Sequence, residues 1–375
     1  MTSMSFTTDP IYRPSAWSEN VMRIIEEAEY GGGDVFDCIR TIQRIRPGNA
    51  GDWISEWSRT AKINQDLADE AMKKGHLITA RKYYLNAFNY YRHAAFHILP
   101  REKQKADYHK LSDACFRKAA ALFDPPFEYL NVDYGGKQLE AILYHTRTPG
   151  RNPVMIYVLG GDATKEEYYF LGIEEALARG LNVLVIDGPG QASSLILKGI
   201  SSTHEYEKPV AAFINTLSSR KDIDMERLAI VGRSFAGFFA PRVAAMEPRI
   251  KALVVWGAFY DVYENLQWRV KAIPRYKQIF GIEDEDAFWK KTKEYTLKDV
   301  AQKIRCPMLV LHGEADPQVK VEDARRLYAE ASSKDKQLII FKLGEPGSGH
   351  CAHDSPSTVF PLVFDWVADK LNAKH

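Results

Sequence analysis

Hydrophobic and polar positions follow one pattern in the first third of the chain. From residue 20 to about residue 123, apolar side chains recur every three or four positions, as they do on one face of a helix. Glycine and proline interrupt these stretches, which predicts helices at 20–28, 35–45, 52–74, 77–99 and 104–123. We therefore expect this third to be all-helical.

A different pattern begins after Asp124-Pro125-Pro126, where two prolines stop the preceding helix. Two alternating apolar runs around Gly135-Gly136 predict a β-hairpin, and the continuous apolar runs that follow are typical of parallel strands buried on both faces. These strands are predicted at 153–159, 182–186, 228–231, 252–256, 308–311 and 338–341. Helices are predicted at 166–179, 204–217 and 359–371. Such alternation predicts a mostly parallel sheet with helices on both faces.

The interval at about 262–300 fits no strand and is rich in Trp, Tyr, Phe and Lys. We interpret it as a helical lid inserted over the strand ends, where its aromatic side chains touch a substrate; a plain surface excursion is the alternative. The expected organisation is a helical domain at 1–124 and a second domain at 125–375. The helical domain is interpreted as a cap over an active site, or as a dimerisation or stability module, and both roles are compatible.

Aromatic residues are dense in the helix at 77–99, where we interpret them as helix-packing core. His93 and His97 lie one helical turn apart, as two metal ligands would. No acidic or cysteine partner stands at a suitable spacing, so we interpret both as packing or surface residues.

Composition and net charge exclude some classes of function. The chain has 375 residues, 45% hydrophobic and 26% charged, with a formal net charge of +1. Without a basic run or a strong field, neither nucleic acid nor an anionic membrane is an expected partner. The four cysteines are scattered without C-x-x-C spacing, and no metal site or cofactor is indicated. With no signal-peptide pattern and no run of transmembrane length, we expect a cytoplasmic protein.

Candidate chemistry centres on the stretch from Leu228 to Gly237. An apolar strand breaks at Gly232, Ser234 follows, and an apolar helix-type run continues through Ala245. Small residues two positions before and after the serine, Gly232 and Ala236, are typical of a nucleophile elbow, where strand and helix backbones pass closely. In a parallel sheet, such a serine lies at the carboxyl ends of the strands, where active sites collect.

Two further residues complete a possible catalytic triad. A serine hydroxyl needs a neighbouring base, which is itself oriented by an acid. Asp316 follows the strand at 308–311, and His350 lies on a glycine-rich loop after the last strand. The order Ser, Asp, His is the one expected for a parallel-sheet hydrolase. We therefore predict a Ser234-Asp316-His350 triad.

Each partner of the serine has an alternative. Glu314 is an alternative acid, although it follows the strand closely, and His353 is an alternative base. His312 stands at the strand end, where a hydrogen-bonded packing role is expected. Cys351 has no evident base of its own.

An oxyanion hole requires two backbone N–H groups directed at the developing negative charge. One is expected from Phe235, the residue after the nucleophile. The other is expected from the turn after the strand at 153–159, where Gly161 is the first choice and Asp162 the next. A simple tight turn would use the same residues.

The combined motifs resemble those of one hydrolase family. They are Gly160-Gly161 with Thr164-Lys165-Glu166-Glu167, Asp187-Gly188-Pro189-Gly190-Gln191, Gly232-Arg233-Ser234, Trp256-Gly257-Ala258-Phe259, His312-Gly313-x-x-Asp316 and Gly349-His350-Cys351. With this set the chain resembles the FrsA-like α/β-hydrolases. Within them it is most similar to 2,6-dihydroxypseudooxynicotine hydrolase and to related fungal hydrolases of secondary metabolism. The elbow departs from the common pattern by having Ala236 in place of glycine.

The resemblance implies an α/β-hydrolase fold with a helical N-terminal region, and often a homodimer. It implies hydrolysis of a carbon–carbon bond next to a ketone in polyketide-like or acyl-phenol substrates, with some members acting on esters. It also implies an additional acidic residue after the strand at 252–256, a position that Asp261 or Glu264 would fill. A structural salt bridge is the alternative role for both.

The residues themselves favour acyl cleavage of a small hydrophobic or aromatic substrate. An esterase, thioesterase or acyltransferase would use the same triad. A non-catalytic binding protein on the same fold is the alternative from another class, although such proteins usually lack a triad member.

Overall fold

The computed structural model describes residues 17–373, which form two compact units. The first runs up to Ile98 and continues with Asp107–Pro126. The second comprises Leu99–Ala106 and the chain from Phe127 onward. None of the helices in the described residues is both long and apolar enough to cross a lipid bilayer.

The first unit is helical, as predicted. Its helices are α1 (Ser18–Glu27), α2 (Val35–Ile42), α3 (Ala50–Lys73), α4 (Leu77–Ala94) and most of α5 (Lys103–Ala120). Asp34 and Asn49 cap α2 and α3, because their side-chain oxygens accept backbone N–H groups that the first helical turn leaves unpaired. Trp53, Trp57 and Tyr90 are among the large side chains that fill its core.

His93 is a fully buried packing residue of this unit. Its Nε2 lies 2.7 Å from the carboxylate of Glu27, which also pairs with Arg92 at 2.5 Å. Burial and the nearby Arg92 cation lower the pKa of His93 to about 3, so its ring is neutral near pH 7. The acidic partner lies 66 positions earlier in the chain, which is why local spacing did not indicate it.

The second unit contains an eight-stranded sheet in the order β1-β2-β4-β3-β5-β6-β7-β8. The strands are β1 (Glu128–Tyr134), β2 (Lys137–Tyr144), β3 (Asn152–Val158), β4 (Asn182–Asp187), β5 (Ile223–Arg233), β6 (Ile250–Trp256), β7 (Met308–Gly313) and β8 (Lys336–Phe341). The β1–β2 hairpin and the β2–β4 pair are antiparallel, and all other pairs are parallel. The predicted mostly parallel sheet is confirmed.

The helices of this unit are α6 (Ile173–Ala178), α7 (Ala192–Ile196), α8 (Glu207–Leu217), α9 (Ala236–Met246), α10 (Val262–Trp268), α11 (Ile273–Phe280), α12 (Glu285–Thr292), α13 (Val321–Glu330) and α14 (Pro356–Lys370). The single helix predicted at 166–179 is wrong. Instead, a short 3₁₀ turn (Glu167–Phe170) precedes α6, and the break falls at Gly172, where φ is +85°. A side chain there would approach the Phe364 ring to 2.3 Å, so the chain needs a glycine at this point.

Helices α10, α11 and α12 form an insertion between β6 and β7. Asp261 caps α10 and Asp284 caps α12 through their carboxylates. The insertion contributes Tyr276, Phe280 and Tyr295 to the hydrophobic core of the second unit. It is helical, as the absence of a strand pattern predicted.

Candidate active site

Ser234 stands on a sharp turn between β5 and α9. Its φ is +61°, a left-handed conformation that non-glycine residues rarely adopt, and its backbone N–H donates to the Trp256 carbonyl at 2.8 Å. A Cβ on Gly232 would lie 2.2 Å from the Ala236 carbonyl oxygen and 2.6 Å from the Ala240 Cβ. Only glycine therefore fits two positions before the serine. The geometry is that of a nucleophile elbow.

The structure brings Ser234, His350 and Asp316 together in one hydrogen-bonded chain. Ser234 Oγ lies 2.8 Å from His350 Nε2, and His350 Nδ1 lies 2.7 Å from Asp316 Oδ2. The other carboxylate oxygen of Asp316 accepts the backbone N–H groups of Gln318 (2.7 Å) and Val319 (3.0 Å). These bonds fix the acid in place, so Nδ1–H donates to Asp316 and Nε2 is left to accept the serine proton.

The Asp316 carboxylate stabilises the imidazolium that forms when His350 accepts a proton. Burial disfavours the protonated ring of His350, but the Asp316 carboxylate outweighs burial and raises the pKa of His350 above its usual value. Burial likewise opposes ionisation of Asp316, yet the charge and hydrogen bond of His350 lower the pKa of Asp316. The acid therefore stays ionised beside the base, as proton transfer from a serine requires.

Glu314, the alternative acid, and His312, for which a packing role is expected, both have hydrogen-bond partners outside the triad. Glu314 accepts the Leu343 N–H at 2.9 Å and faces Lys342. His312 receives the Ala258 N–H on Nδ1, so its Nε2–H donates to the Val319 carbonyl at 3.0 Å. His312 thus has the hydrogen-bonded packing position expected for it.

The alternative base, His353, is bonded to Arg233 rather than to the serine. Arg233 Nη2 lies 3.0 Å from His353 Nδ1 and donates to the Cys351 carbonyl at 2.9 Å. The guanidinium also lies over the Trp256 ring, 4.5 Å from its centroid. Sequence reasoning assigned Arg233 no role. The sequence feature that could have indicated a role is a charged residue at the end of an apolar strand, where burial of an unpaired charge costs free energy.

The thiol of Cys351 lies beside the base. Its sulfur is 3.5 Å from His350 Nε2 and 3.5 Å from the Trp256 carbonyl. Cys351 has φ +50° and the following Ala352 has φ +49°, so the loop after His350 has two consecutive left-handed residues.

The turn after β3 lies against the elbow. A Cβ on Gly160 would be 3.3 Å from the Ser234 Cβ, and one on Gly161 would be 3.6 Å from the Phe235 Cβ. The Gly160 N–H already donates to the Tyr168 hydroxyl at 3.1 Å. The two residues predicted for the oxyanion hole, Gly161 and Phe235, are thus neighbours. The next choice, Asp162, forms an ion pair through its side chain with Arg275 of α11.

A buried ion cluster anchors the segment that follows this turn. Lys165 is 1% exposed, and its ammonium lies 2.6 Å from Glu166, 3.0 Å from Glu140 and 3.5 Å from Asp187. Burial opposes a charged lysine, but these carboxylates raise the pKa of Lys165. Asp187 also accepts the Ser193 and Ser194 N–H groups, which fits the structural turn predicted there. Sequence reasoning missed the role of Lys165. The sequence feature that could have indicated it is the Lys-Glu-Glu run shortly after the glycine turn.

The two candidates for an additional acid have structural partners. Asp261 caps α10 by accepting the Glu264 N–H at 2.9 Å. The Glu264 side chain is 61% exposed and lies 3.5 Å from Arg326. Each carboxylate thus has the kind of structural contact that was the alternative to a role as additional acid.

Comparison with known proteins identifies the family. A sequence profile of the family described as esterase FrsA-like matches residues 18–369. The chain belongs to the FrsA-like esterase family. The resemblance predicted from the motifs is confirmed, and with it the prediction of an α/β-hydrolase enzyme.

Several relatives match this FrsA-like chain over nearly its full length. The 20-hydroxy-prefusarin hydrolase FUS2 of Gibberella moniliformis is 28% identical over 396 residues, which cover 92% of this chain and 94% of that protein. Hydrolase acrC of Aspergillus aculeatus is 27% identical over 416 residues, which cover 94% and 96%. The crystal structure of 2,6-dihydroxy-pseudo-oxynicotine hydrolase superposes with a TM-score of 0.81 at 24% identity, covering 93% of this chain and 95% of that one. The last match establishes a shared fold.

Proposed function

We propose that this FrsA-like protein is a serine hydrolase that cleaves an acyl bond, with Ser234 as nucleophile, His350 as base and Asp316 as the acid that orients it. The observation that carries the proposal is the hydrogen-bonded chain from Ser234 Oγ through His350 to Asp316, at 2.8 Å and 2.7 Å. Side chains chosen from the sequence for their order and element positions meet at bonding distance.

In the proposed reaction, His350 Nε2 takes the hydroxyl proton of Ser234 as Oγ attacks a substrate carbonyl. The tetrahedral oxyanion is held by the backbone N–H groups of Phe235 and Gly161. When the acyl bond breaks, His350 returns the proton to the leaving group. Water then hydrolyses the acyl-serine by the same steps, with His350 again as base and acid.

The leaving group is proposed to be a stabilised carbanion or enolate. A carbon leaving group departs only if conjugation spreads its charge, so the expected substrate is a β-diketone or an acylated phenol of polyketide type. Support comes from two similar proteins whose names describe hydrolysis of 20-hydroxy-prefusarin and of 2,6-dihydroxy-pseudo-oxynicotine.

Ester hydrolysis is the second candidate function. The family description, esterase FrsA-like, favours it, and it uses the same three side chains with an alkoxide as leaving group. The two functions differ only in the bond that breaks after Oγ attacks.

The test is product identification by mass spectrometry after incubation with aryl esters and β-diketones. We expect turnover with one of these classes, abolished in Ser234→Ala, and labelling of the wild-type serine by a fluorophosphonate. Full activity in Ser234→Ala would refute the serine mechanism. The proposal also includes a cytoplasmic location and a homodimer, for which light scattering after gel filtration is the test of oligomeric state.

A further inference from the structure

Arg269 is a cation of the insertion that has no carboxylate partner among the described residues. It follows α10, and its guanidinium donates to Gln318 Oε1 at 3.0 Å and to Asn265 Oδ1 at 3.4 Å. The Arg269 charge also lowers the pKa of Tyr276, although burial outweighs it and raises that pKa overall. Both hydrogen-bond partners are neutral, so among the described residues the positive charge of Arg269 is held in place but not balanced.

One of these partners, Gln318, links Arg269 to the acid of the proposed triad. The backbone N–H of Gln318 donates to Asp316 Oδ1 at 2.7 Å. The Tyr276 ring packs edge-on against Phe235, with ring centroids 5.2 Å apart, and Phe235 directly follows Ser234. Arg269 is therefore linked through Gln318 to the loop that carries Asp316, and the insertion that carries Arg269 also packs against Phe235.

Another arginine of the insertion shows the contrast. Arg275, in the first turn of α11, forms an ion pair with Asp162 of the turn after β3. Its charge is thereby balanced within the protein. Arg269 is half-buried and has no such ion pair among the described residues, so its charge remains available to an anion.

We infer that Arg269 binds an anionic group of the substrate next to the acyl bond that Ser234 attacks. The fitting class is a planar anion with two oxygens, either a carboxylate or the enolate of a 1,3-dicarbonyl, because a guanidinium donates two parallel N–H bonds to such a pair. The inference rests on the proposed function, since it assigns a substrate class to the same site.

The test measures binding, so that it does not depend on turnover. Hydrocinnamate and its neutral amide, matched in shape, are titrated calorimetrically into the full-length protein. Wild type is expected to bind the carboxylate about tenfold more tightly than the amide, as a charge-assisted hydrogen bond predicts. Arg269→Met should abolish this preference, and Arg269→Lys should keep part of it. The matched control is Lys271→Met, which removes an exposed cation two residues away and should keep all of it.

A measurement on wild type alone tests the inference even if Arg269→Met does not fold. Because the proposed contact is ionic, higher salt should weaken binding of the carboxylate and leave binding of the amide unchanged. Equal binding of the two probes by wild type, absence of binding by either, or a preference that survives in Arg269→Met would overturn the inference. The Ser234→Ala protein should keep the preference and lose turnover. Failure of the serine mechanism is therefore a separate result.

Discussion

Arg233 Nη2 and the carbonyl oxygen of Cys351 form a hydrogen bond of 2.9 Å between residues 118 positions apart in the chain. The bond joins the end of β5, which leads into Ser234, to the loop that carries His350. Cys351 has a left-handed backbone that a non-glycine residue does not favour, so an external bond is needed to hold it. We therefore predict that Arg233 positions Ser234 and His350 relative to each other.

Arg233→Met should lower kcat by about 10²-fold with a smaller change in KM, because a shift of about 1 Å between reacting groups costs that much. Arg233→Lys, which keeps one donor, should recover part of kcat. Steady-state kinetics on purified variants makes the comparison. Arg227→Met is the control on the same strand, since Arg227 bonds to Asp224 and to the carbonyl of Arg151. A folded Arg233→Met protein with wild-type kcat would contradict the positioning role.

Gly232→Ala should disrupt the elbow. The added methyl would lie 2.2 Å from a backbone oxygen of α9, so the helix must move, at a cost of about 1–3 kcal/mol of unfolding free energy. Urea denaturation measures this loss, and kcat should fall with it. Gly161→Ala adds the same methyl where the nearest atom is 3.6 Å away, and its unfolding free energy should match wild type. Equal stability of the two variants would show that the elbow is less tightly packed than described.

The pH dependence of activity should report on Asp316. Only neutral His350 accepts a proton, so kcat/KM rises as pH increases through the pKa of His350. Because Asp316 raises that pKa, the acidic limb of wild type should lie above about pH 6.5, the ordinary value for histidine. Asp316→Asn should move this limb to lower pH and reduce the plateau by about 10³–10⁴-fold. A limb at the same pH in both proteins would mean that another group governs it.

Lys165→Met should destabilise the second unit. It leaves the carboxylates of Glu166, Glu140 and Asp187 without their shared cation, at a cost of about 3–5 kcal/mol. Burial already raises the pKa of Asp187, so lowering the pH should protonate Asp187 more readily in the variant and reduce the difference in unfolding free energy between wild type and variant.

The control for this variant is Lys208→Met, which breaks an exposed pair with Glu205 and should leave the unfolding transition in place. Thermal unfolding at about pH 7 and about pH 5 tests both expectations. If the difference in unfolding temperature between wild type and Lys165→Met stayed constant with pH, uncompensated carboxylates would not be its cause.

Features that depend on residues close together in the chain could be predicted from the sequence. The apolar runs of β3 and β5 identify buried parallel strands, and Gly232 with Ser234 marks the turn between β5 and α9. Asp316 and His350 follow strand ends, which the topology of a parallel sheet brings to one edge. Their meeting was therefore predictable without knowledge of any distant contact.

Features that depend on distant contacts could not be predicted. The break at Gly172 is required by Phe364, which lies 192 positions later, and nothing in the local helical pattern indicates it. The bond from Arg233 to Cys351 and the partners of Lys165 likewise follow from packing between separate elements. Buried charges in apolar surroundings were the signal available, but their partners require the three-dimensional structure.

The insertion of α10 to α12 contains Arg269 and Tyr276 but none of the three side chains of the proposed triad. Its ends leave and return at β6 and β7, which pair directly over Leu253–Trp256 and Met308–Leu311, so the sheet closes without it. If the proposed roles of Arg269 and the triad hold, substrate preference and bond cleavage reside on separate segments of the chain, which can be exchanged independently. Exchanging this insertion between relatives should transfer substrate selectivity and leave the reactivity of Ser234 unchanged.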